Sequence, residues 1–374
     1  MTAIAENVIA KADQQHTADA VLRTELKQAR GISREEGRAV SRAVFAYYRW
    51  LGWLDERLPM GERIARALGF DDTFRKNPAS IKEADLHRAI PSWVSGHVNI
   101  SVEWLRALQT EPTLWLRARM GQGKQLAEKL GLGPSGRART RALPDAVVYE
   151  GGEDLFRTPE FQAGEFELQD ISSQVVGMVC NPQAGGTWWD ACAGEGGKTL
   201  HLADLMGGKG LIWASDRAAW RLQKLKQRTA RAKVFNYRSV LWDGGAKLPT
   251  RTKFDGILVD APCAGVGTWQ RNPHARWTTT AEDVAELGAV QKKLLANAVQ
   301  ALKPGGRLIY SVCTLTRAET TEVKAEITRL YGNLEPLKLL NPLEPSAPAS
   351  ESVWLWPQTV SGNGMFICGW QARS

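Results

Sequence analysis

Residues 187–199 read TWWDACAGEGGKT and carry the clearest structural signal in this chain of 374 residues. The first five residues have the apolar composition of a buried strand, and Gly194, Gly196 and Gly197 follow closely. A strand that runs through a glycine-rich turn into a helix is one way in which α/β folds bind nucleotides. The segment lacks the GxxxxGK[ST] spacing, which excludes a standard phosphate-binding P-loop.

The pattern around this segment alternates between strands and helices. Three further apolar runs, 211–214, 254–259 and 307–310, are separated by longer segments of mixed polarity. Continuous apolar strands that alternate with helices predict a parallel sheet covered on both faces, here over residues 169–374. Such sheets bind their ligands at the carboxyl ends of the strands.

The first half of the chain has a different pattern. Residues 1–88 are predicted to be a helical domain, because apolar side chains recur at helical spacing, for example Val40, Val44 and Tyr47. Residues 89–168 are predicted to be a small α/β module with a strand at 147–149. The Gly/Pro-rich stretch 131–144 is predicted to be an exposed loop, and it carries Arg137, Arg139 and Arg141.

Composition indicates a globular protein of a reducing compartment. Hydrophobic residues make up 43% and charged residues 24%, and no apolar run is long enough to span a membrane. The N-terminus lacks a signal-peptide core, and the five cysteines are odd in number and widely spaced. The absence of CxxC pairs and the scattered histidines argue against a metal site. We therefore expect a cytoplasmic monomer without metal and without membrane contact.

The net charge of +8 is unevenly distributed. Residues 1–168 hold 24 basic and 23 acidic side chains, whereas residues 169–374 hold 24 basic and 17 acidic ones. A positive excess in the half that carries the glycine loop fits a polyanionic partner such as a nucleic acid. The alternative is a soluble basic protein with no such partner.

Two aspartates are candidates for cofactor contacts. Asp216 ends the second apolar run, 26 residues after Asp190, where a carboxylate can accept hydrogen bonds from both ribose hydroxyls. The alternative for Asp216 is a helix N-cap. Asp243, in the turn LWDGG, could meet an adenine amino group, although its residue type also suits an ordinary turn.

Two cysteines follow neighbouring strand candidates. Cys263 lies in VDAPCAGVGT (259–268), three residues after Asp260, and Cys313 lies in YSVCTLT (310–316). Either cysteine alone is best interpreted as a small buried hydrophobe. Placed at the ends of adjacent strands, however, the two would open onto one cleft.

These motifs resemble those of the RsmB–Sun (NOL/NOP/Sun) family of RNA cytosine-5 methyltransferases, and within it the bacterial RsmB-like proteins. The matching motifs stand in the family's order: QDISSQ (169–174), DACAGEGGK (190–198), DAPCAGVG (260–267), RNPHARW (271–277), YSVCT (310–314) and WPQTVSGNGMFIC (356–368). Glu195 departs from the pattern where the family has proline, and Val312 and Thr314 replace Thr and Ser. Both cysteines remain.

The resemblance implies a fold and a domain organisation. Residues 169–374 would form a Rossmann-like, S-adenosylmethionine-dependent methyltransferase domain. Residues 1–88 would be a NusB-like RNA-binding domain, and residues 89–168 a small RNA-recognition module. Arg271, His274 and Arg276, which follow the PC motif, are expected to include phosphate contacts.

The resemblance also implies the site. Cys313 would attack carbon 6 of the cytosine, Cys263 would release the product, and Asp260 would bond the polar edge of the base. Lys198 is the candidate for a positive charge that helps the thiol of Cys313 to ionise. The residues expected at S-adenosylmethionine are Cys192, Ala193, Gly194, Glu195, Gly196, Gly197, Lys198, Asp216, Asp243 and Asp260.

The predicted function is methylation of carbon 5 of a cytosine in RNA, with ribosomal RNA as the first candidate and transfer RNA as the second. One alternative is a non-catalytic RNA-binding factor of ribosome assembly, against which the intact cysteines argue. Another is a methyltransferase that acts on a protein or a small molecule. The second cysteine motif and the basic charge argue against it.

Overall fold

A computed structural model describes residues 2–29, 31–132 and 143–373. The predicted basic loop residues Arg137, Arg139 and Arg141 lie outside the described residues. The chain divides into two compact units, one of Met1–Pro112 with Ala264–Val284 and one of Thr113–Cys263 with Ala285–Ser374. The domain boundaries predicted at residues 88 and 168, and the NusB-like character of residues 1–88, stay predictions.

The α-helices are α1 (Thr2–Lys11), α2 (Ala18–Gln28), α3 (Arg34–Trp50), α4 (Met60–Lys76), α5 (Val102–Ala107), α6 (Gly123–Lys129), α7 (Pro159–Gln162), α8 (Ile171–Cys180), α9 (Gly197–Leu205), α10 (Ala219–Arg231), α11 (Ala275–Thr278), α12 (Ala281–Val299), α13 (Thr321–Leu330) and α14 (Pro357–Val360). The strands are β1 (Trp115–Ala118), β2 (Ala146–Val148), β3 (Phe166–Leu168), β4 (Thr187–Asp190), β5 (Leu211–Asp216), β6 (Tyr237–Leu241), β7 (Phe254–Asp260), β8 (Leu302–Val312), β9 (Leu334–Pro336), β10 (Ser352–Leu355) and β11 (Met365–Ala372).

The first unit is built around α3 and α4. Helix α3 begins at a capping box, in which Ser33 and Glu36 satisfy each other's backbone amides. Its C-terminal turns bury a continuous apolar face, and Trp50 packs edge-on against Phe74 of α4.

The second unit contains a large mixed sheet in the order β10-β11-β8-β7-β4-β5-β6. Strands β4 to β8 are parallel, whereas β11 runs antiparallel to β8, β9 and β10. Successive residues of one strand enter different apolar clusters: Ile257 packs with Trp189, and Leu258 packs with Trp188. Burial of both faces is what a parallel sheet with helices on each side requires, and the predicted Rossmann-like α/β fold is confirmed.

The strand order brings four chain segments to one edge of this sheet. Asp190, Asp216 and Asp260 are the last residues of β4, β5 and β7, and Cys313 directly follows β8. Because these strands are parallel, their carboxyl ends share an edge, which is where such folds bind ligands.

A smaller antiparallel sheet, β2-β1-β3, precedes the large one in the same unit. Within the described ranges, no helix combines the length and apolarity needed to cross a membrane.

Candidate active site

The glycine loop after β4 adopts a conformation that requires glycine. Gly194 has φ +53° and Gly196 has φ +89°, both in the left-handed region. A Cβ on Gly196 would lie 2.7 Å from Cγ of Leu225, so a side chain there would also collide with the core. Backbone can therefore approach a ligand closely at this turn.

Asp216 holds this loop through backbone hydrogen bonds. One carboxylate oxygen accepts from the amide of Gly194 at 3.0 Å, and the other accepts from the amide of Ala218 at 2.8 Å. Asp216 is not the helix N-cap considered from the sequence, because the N-cap of α10 is Ala218 and no side chain of the described residues caps that helix. The bond to Gly194 links β5 to the glycine turn.

Asp190 is a buried acid with an unusual environment. Its Oδ2 accepts a hydrogen bond from Thr199 Oγ1 at 2.7 Å, whereas Oδ1 has no hydrogen-bond partner within the described part of the chain. Burial raises the pKa of Asp190 to about 7; the Thr199 bond opposes this rise and the nearby charge of Asp260 adds to it.

Lys198 and Asp260 form an ion pair at the centre of the site. Lys198 Nζ lies 2.6 Å from Asp260 Oδ2 and 3.4 Å from Ser173 Oγ, and Ser311 Oγ donates to Asp260 Oδ1 at 2.7 Å. Burial by itself would lower the pKa of Lys198, but the attraction of Asp260, with a smaller contribution from Cys313, raises it. Lys198 is therefore a permanent cation here.

The thiols of Cys263 and Cys313 lie 3.4 Å apart, as their positions after adjacent strands predict. This distance exceeds the ~2.05 Å of a disulfide bond. Both side chains are half-buried, whereas Cys180 and Cys368 are fully buried, and burial raises the pKa of both of those thiols. Two half-buried thiols in contact suit chemistry on a bound group better than core packing does.

A cavity of about 230 Å³ lies beside the ion pair. Its wall carries charges of both signs, from three carboxylates and two cations, together with backbone of the glycine loop: Asp170, Asp190, Asp260, Lys198, Arg228, Ala193 and Gly197. Cys192 also lines it, and burial raises the pKa of the Cys192 thiol. Such a wall suits a ligand that itself carries both signs of charge.

Five predicted cofactor residues do not line this cavity: Gly194, Glu195, Gly196, Asp216 and Asp243. Asp216 binds backbone as described, and Asp243 is exposed and accepts a hydrogen bond from the amide of Gly245 at 2.8 Å. Glu195, the departure from the family's proline, forms an ion pair with Lys224 of α10 at 2.9 Å. Its extra charge is thus paired within the protein.

Asp170, Ser173, Asp190, Arg228 and Ser311 were not predicted as site residues. Ser173 lies in the motif QDISSQ and Ser311 in the motif YSVCT. Their place in these two family motifs was the only feature of the sequence that marked them. The pairing of Ser311 with Asp260 depends on the register of β7 and β8, which places the two residues opposite each other.

Residues 217–233, which include α10, carry seven basic side chains and no acidic one, a composition that suits phosphate binding. Several of these cations are, however, paired with carboxylates of the protein. Arg228 and Arg231 both pair with Glu167, whose side chain is 4% exposed, and Arg221 lies 3.8 Å from Asp216. Three other cations are exposed: Arg217 and Lys233 lie just beyond the two ends of α10, and Lys226 lies on its outer face.

Some of Arg271, His274 and Arg276 were expected to contact phosphates, and His274 and Arg276 are buried in the structure. For Arg271, which is partly exposed, the expectation stays a prediction. The Arg276 guanidinium donates to the carbonyl oxygens of Ala89 and Leu108, each at 2.9 Å, within the first unit. Among residues 2–29, 31–132 and 143–373, no group of three His, Cys, Asp or Glu side chains is arranged to hold a metal ion.

Comparison with known proteins gives one family. The sequence model of the 16S rRNA methyltransferase RsmB/F family matches residues 177–371, just over half of the chain. A Synechocystis sp. protein named Probable ribosomal RNA small subunit methyltransferase B is 40% identical over 201 residues, which are 53% of this chain and 44% of that protein. The tRNA (cytosine(72)-C(5))-methyltransferase NSUN6 of Mus musculus is 36% identical over 221 residues, 54% of this chain and 45% of that protein.

A solved structure matches over nearly the whole chain. The crystal structure of PH0851 superposes with a TM-score of 0.79 over 99% of this chain and 96% of that chain, at 21% identity, which shows a shared fold. The chain spans about half the length of the curated relatives that it matches. The matched region contains the glycine loop, both cysteine motifs and the closing strand, and the chain belongs to the 16S rRNA methyltransferase RsmB/F family.

Proposed function

We propose that this protein transfers a methyl group from S-adenosylmethionine to carbon 5 of a cytosine in RNA. The observation that carries the proposal is the contact between the Cys263 and Cys313 thiols at 3.4 Å, beside the Lys198–Asp260 ion pair. Carbon 5 of cytosine is a poor nucleophile, and addition of a thiolate to carbon 6 is the covalent step that would activate it.

The residues of the site fit S-adenosylmethionine. Its methionine portion carries an ammonium, a carboxylate and a sulfonium, and the cavity wall offers charges of both signs, with one oxygen of Asp190 unpartnered among the described residues. The glycine loop 194–197 would approach the ligand through backbone, and Asp216 and Asp243 would hold the ribose and the adenine. When bound, the cofactor supplies an electrophilic methyl group.

The two cysteines divide the reaction between them. Cys313 Sγ bonds to carbon 6 of the cytosine, electron density moves to carbon 5, and carbon 5 would take the methyl group of the cofactor, whose leaving group is S-adenosylhomocysteine. A base then removes the carbon 5 proton, and the bond between Sγ and carbon 6 breaks to give 5-methylcytosine and the restored thiolate. Cys263 assists this release by general acid–base catalysis.

Asp260 binds the polar edge of the cytosine and is itself oriented by two neighbours. Lys198 and Ser311 each occupy one of its carboxylate oxygens, at 2.6 and 2.7 Å. A carboxylate held on both oxygens has a fixed plane, which sets the angle at which the base meets the Cys313 thiol.

Ribosomal RNA of the small subunit is the substrate favoured by the family, and transfer RNA is the second candidate, favoured by the similarity to NSUN6. The target cytosine must be unpaired or turned out of its stack to reach the thiols. Arg217, Lys226 and Lys233 are the exposed cations that would contact phosphates near α10.

Bisulfite sequencing of total RNA from cells with and without the gene tests the proposal. We expect one or a few cytosines to be protected only when the protein is present. A Cys313→Ala variant that restores the same protection would contradict the mechanism. Identical patterns with and without the protein would favour the non-catalytic assembly factor.

A further inference from the structure

A buried hydrogen-bond network connects the two chain segments that carry the cysteines. It consists of six polar side chains, each 0% exposed: Gln291, Tyr310, Thr314, Thr316, Glu319 and Thr320. Only Thr314 was noted in the sequence, as a departure from the family pattern, and none of the six takes part in the proposed chemistry.

Gln291 of α12 forms one end of the network. Its amide nitrogen donates to the carbonyl oxygen of Pro262 at 2.9 Å and to Glu319 Oε1 at 3.0 Å. Its amide oxygen accepts from the Tyr310 hydroxyl at 2.9 Å. Pro262 directly precedes Cys263, so Gln291 holds the backbone from which that thiol extends.

Glu319 forms the other end. Its Oε2 accepts from the hydroxyls of Thr314 at 2.9 Å and Thr316 at 2.8 Å. Thr314 directly follows Cys313. An unbroken path of hydrogen bonds therefore runs from the residue before one cysteine to the residue after the other.

This network has the properties of a positioning device. Both hydrogens of the Gln291 amide and both oxygens of the Glu319 carboxylate are used, and the one hydroxyl hydrogen of Tyr310 is shared between Gln291 Oε1 and the Glu319 carbonyl oxygen. Buried hydrogen bonds connected in this way favour a single arrangement. Loops that leave the carboxyl ends of strands would otherwise be among the more mobile parts of such a fold.

We propose that Gln291 and Glu319 are positioning residues that fix the separation of the Cys263 and Cys313 thiols, so that release keeps pace with attack. This inference rests on the proposed two-cysteine reaction. If Gln291 and Glu319 only stabilised the fold, replacing them would reduce the amount of folded protein and slow every step equally. A covalent intermediate would then not accumulate.

The test compares full-length variants on an unmodified 16S ribosomal RNA transcript with S-adenosylmethionine. Gln291→Met keeps the side-chain volume and removes the hydrogen bonds, and Thr316→Val removes one hydroxyl from Glu319. Thr229→Val is the matched control, since Thr229 is also 0% exposed and, among the residues that the structure describes, its hydroxyl bonds only within α10 and to Tyr237. For each variant, kcat, KM for RNA, the thermal midpoint and the RNA–protein adduct on a denaturing gel are measured.

We expect Gln291→Met to lower kcat by roughly 10- to 100-fold with KM unchanged, the loss typical of a misplaced catalytic group. With Gln291→Met, the covalent adduct should accumulate although Cys263 is present. Thr316→Val should show the same two effects to a smaller degree. Thr229→Val should match the wild type. If Gln291→Met does not fold, Thr316→Val decides.

The inference, but not the proposed function, would be overturned if the variants formed no adduct and their kcat fell only in proportion to the folded fraction of the protein. The proposed function, and this inference with it, would instead be overturned if the wild type methylated neither the 16S transcript nor a transfer RNA transcript and the Cys263→Ala variant formed no adduct with either.

Discussion

The role of each cysteine follows from what surrounds it rather than from its residue type. Cys180 and Cys368 are enclosed by apolar side chains, and the raised pKa of each keeps it a neutral thiol. Cys263 and Cys313 are only partly buried, pack against the edges of apolar clusters and contact each other. The half-buried pair can meet a substrate, whereas the other two serve the core.

Asp190 allows a direct test of the electrostatics at the cofactor cavity. Its pKa of about 7 in the folded state lies above the ordinary value of 3.8, so between these pH values the folded state holds a proton that the unfolded state lacks. Stability therefore falls as the pH rises through this window, by about 1.4 kcal/mol for each unit of the shift.

We expect Asp190→Asn to remove this dependence, because asparagine can still accept the Thr199 hydrogen bond but does not ionise. Urea unfolding of the cofactor-free protein from about pH 4 to about pH 7 measures it. The free energy of unfolding of the wild type should decline over this range more steeply than that of the variant. Parallel curves would show that Asp190 ionises normally in the folded protein.

The turn between β4 and α9 is defined by its glycines, and two of them differ in a useful way. Gly196 has positive φ and no room for a Cβ, whereas Gly194 has positive φ and no atom within 4 Å of a Cβ position. A side chain introduced at position 194 would cause backbone strain only. A side chain introduced at position 196 would cause backbone strain and would also overpack against Leu225.

Gly196→Ala should therefore lower the free energy of unfolding by about 2–5 kcal/mol, and Gly194→Ala by about 1–2 kcal/mol. Both should weaken binding of S-adenosylmethionine, since the backbone of this turn would contact it. Denaturant unfolding and calorimetric titration measure the two effects. Equal losses at both positions would mean that Leu225 moves aside without cost.

Arg276 shows that a charged motif residue can serve the fold of its own unit. Its guanidinium is fully buried and donates to the backbone carbonyl oxygens of Ala89 and Leu108, which are distant in sequence. Arg276 therefore joins separate segments of the first unit. Removing it would leave those carbonyls buried without a donor.

Arg276→Met should lower the free energy of unfolding by about 2–4 kcal/mol, because at least two buried carbonyl oxygens lose their donor. It should leave the salt dependence of RNA binding by the folded protein unchanged. Thermal unfolding and binding titrations at several salt concentrations measure these effects. A stable variant whose salt slope falls by roughly 0.7–0.9 would identify Arg276 as a phosphate contact after all.

The architecture of the second unit was predictable because its signals are local. Apolar runs of strand length, each followed by glycine or by a polar motif, predict both the parallel sheet and the edge at which Asp260, Cys263 and Cys313 meet. The antiparallel placement of β11 beside β8 was not predicted, since no spacing within the strand specifies its direction or its neighbour.

Interactions between distant side chains were not predictable from one sequence. Gln291 and Glu319 lie 28 residues apart, and nothing in either local pattern marks them as partners. The sequence of α10 similarly suggests cations that are free to bind phosphate, but the charges of Arg228 and Arg231 are neutralised by Glu167. Such pairings depend on tertiary packing, which periodicity does not encode.

The division of labour between the cysteines is the central claim, and one measurement tests it most directly. Cys263→Ala, incubated with S-adenosylmethionine and an unmodified 16S ribosomal RNA transcript, is run on a denaturing gel beside the Cys263→Ala/Cys313→Ala double variant. We expect a covalent RNA–protein adduct with the single variant and none with the double variant, because attack by Cys313 persists while release fails. An adduct that survives loss of Cys313, or a single variant that turns over without one, would contradict the mechanism.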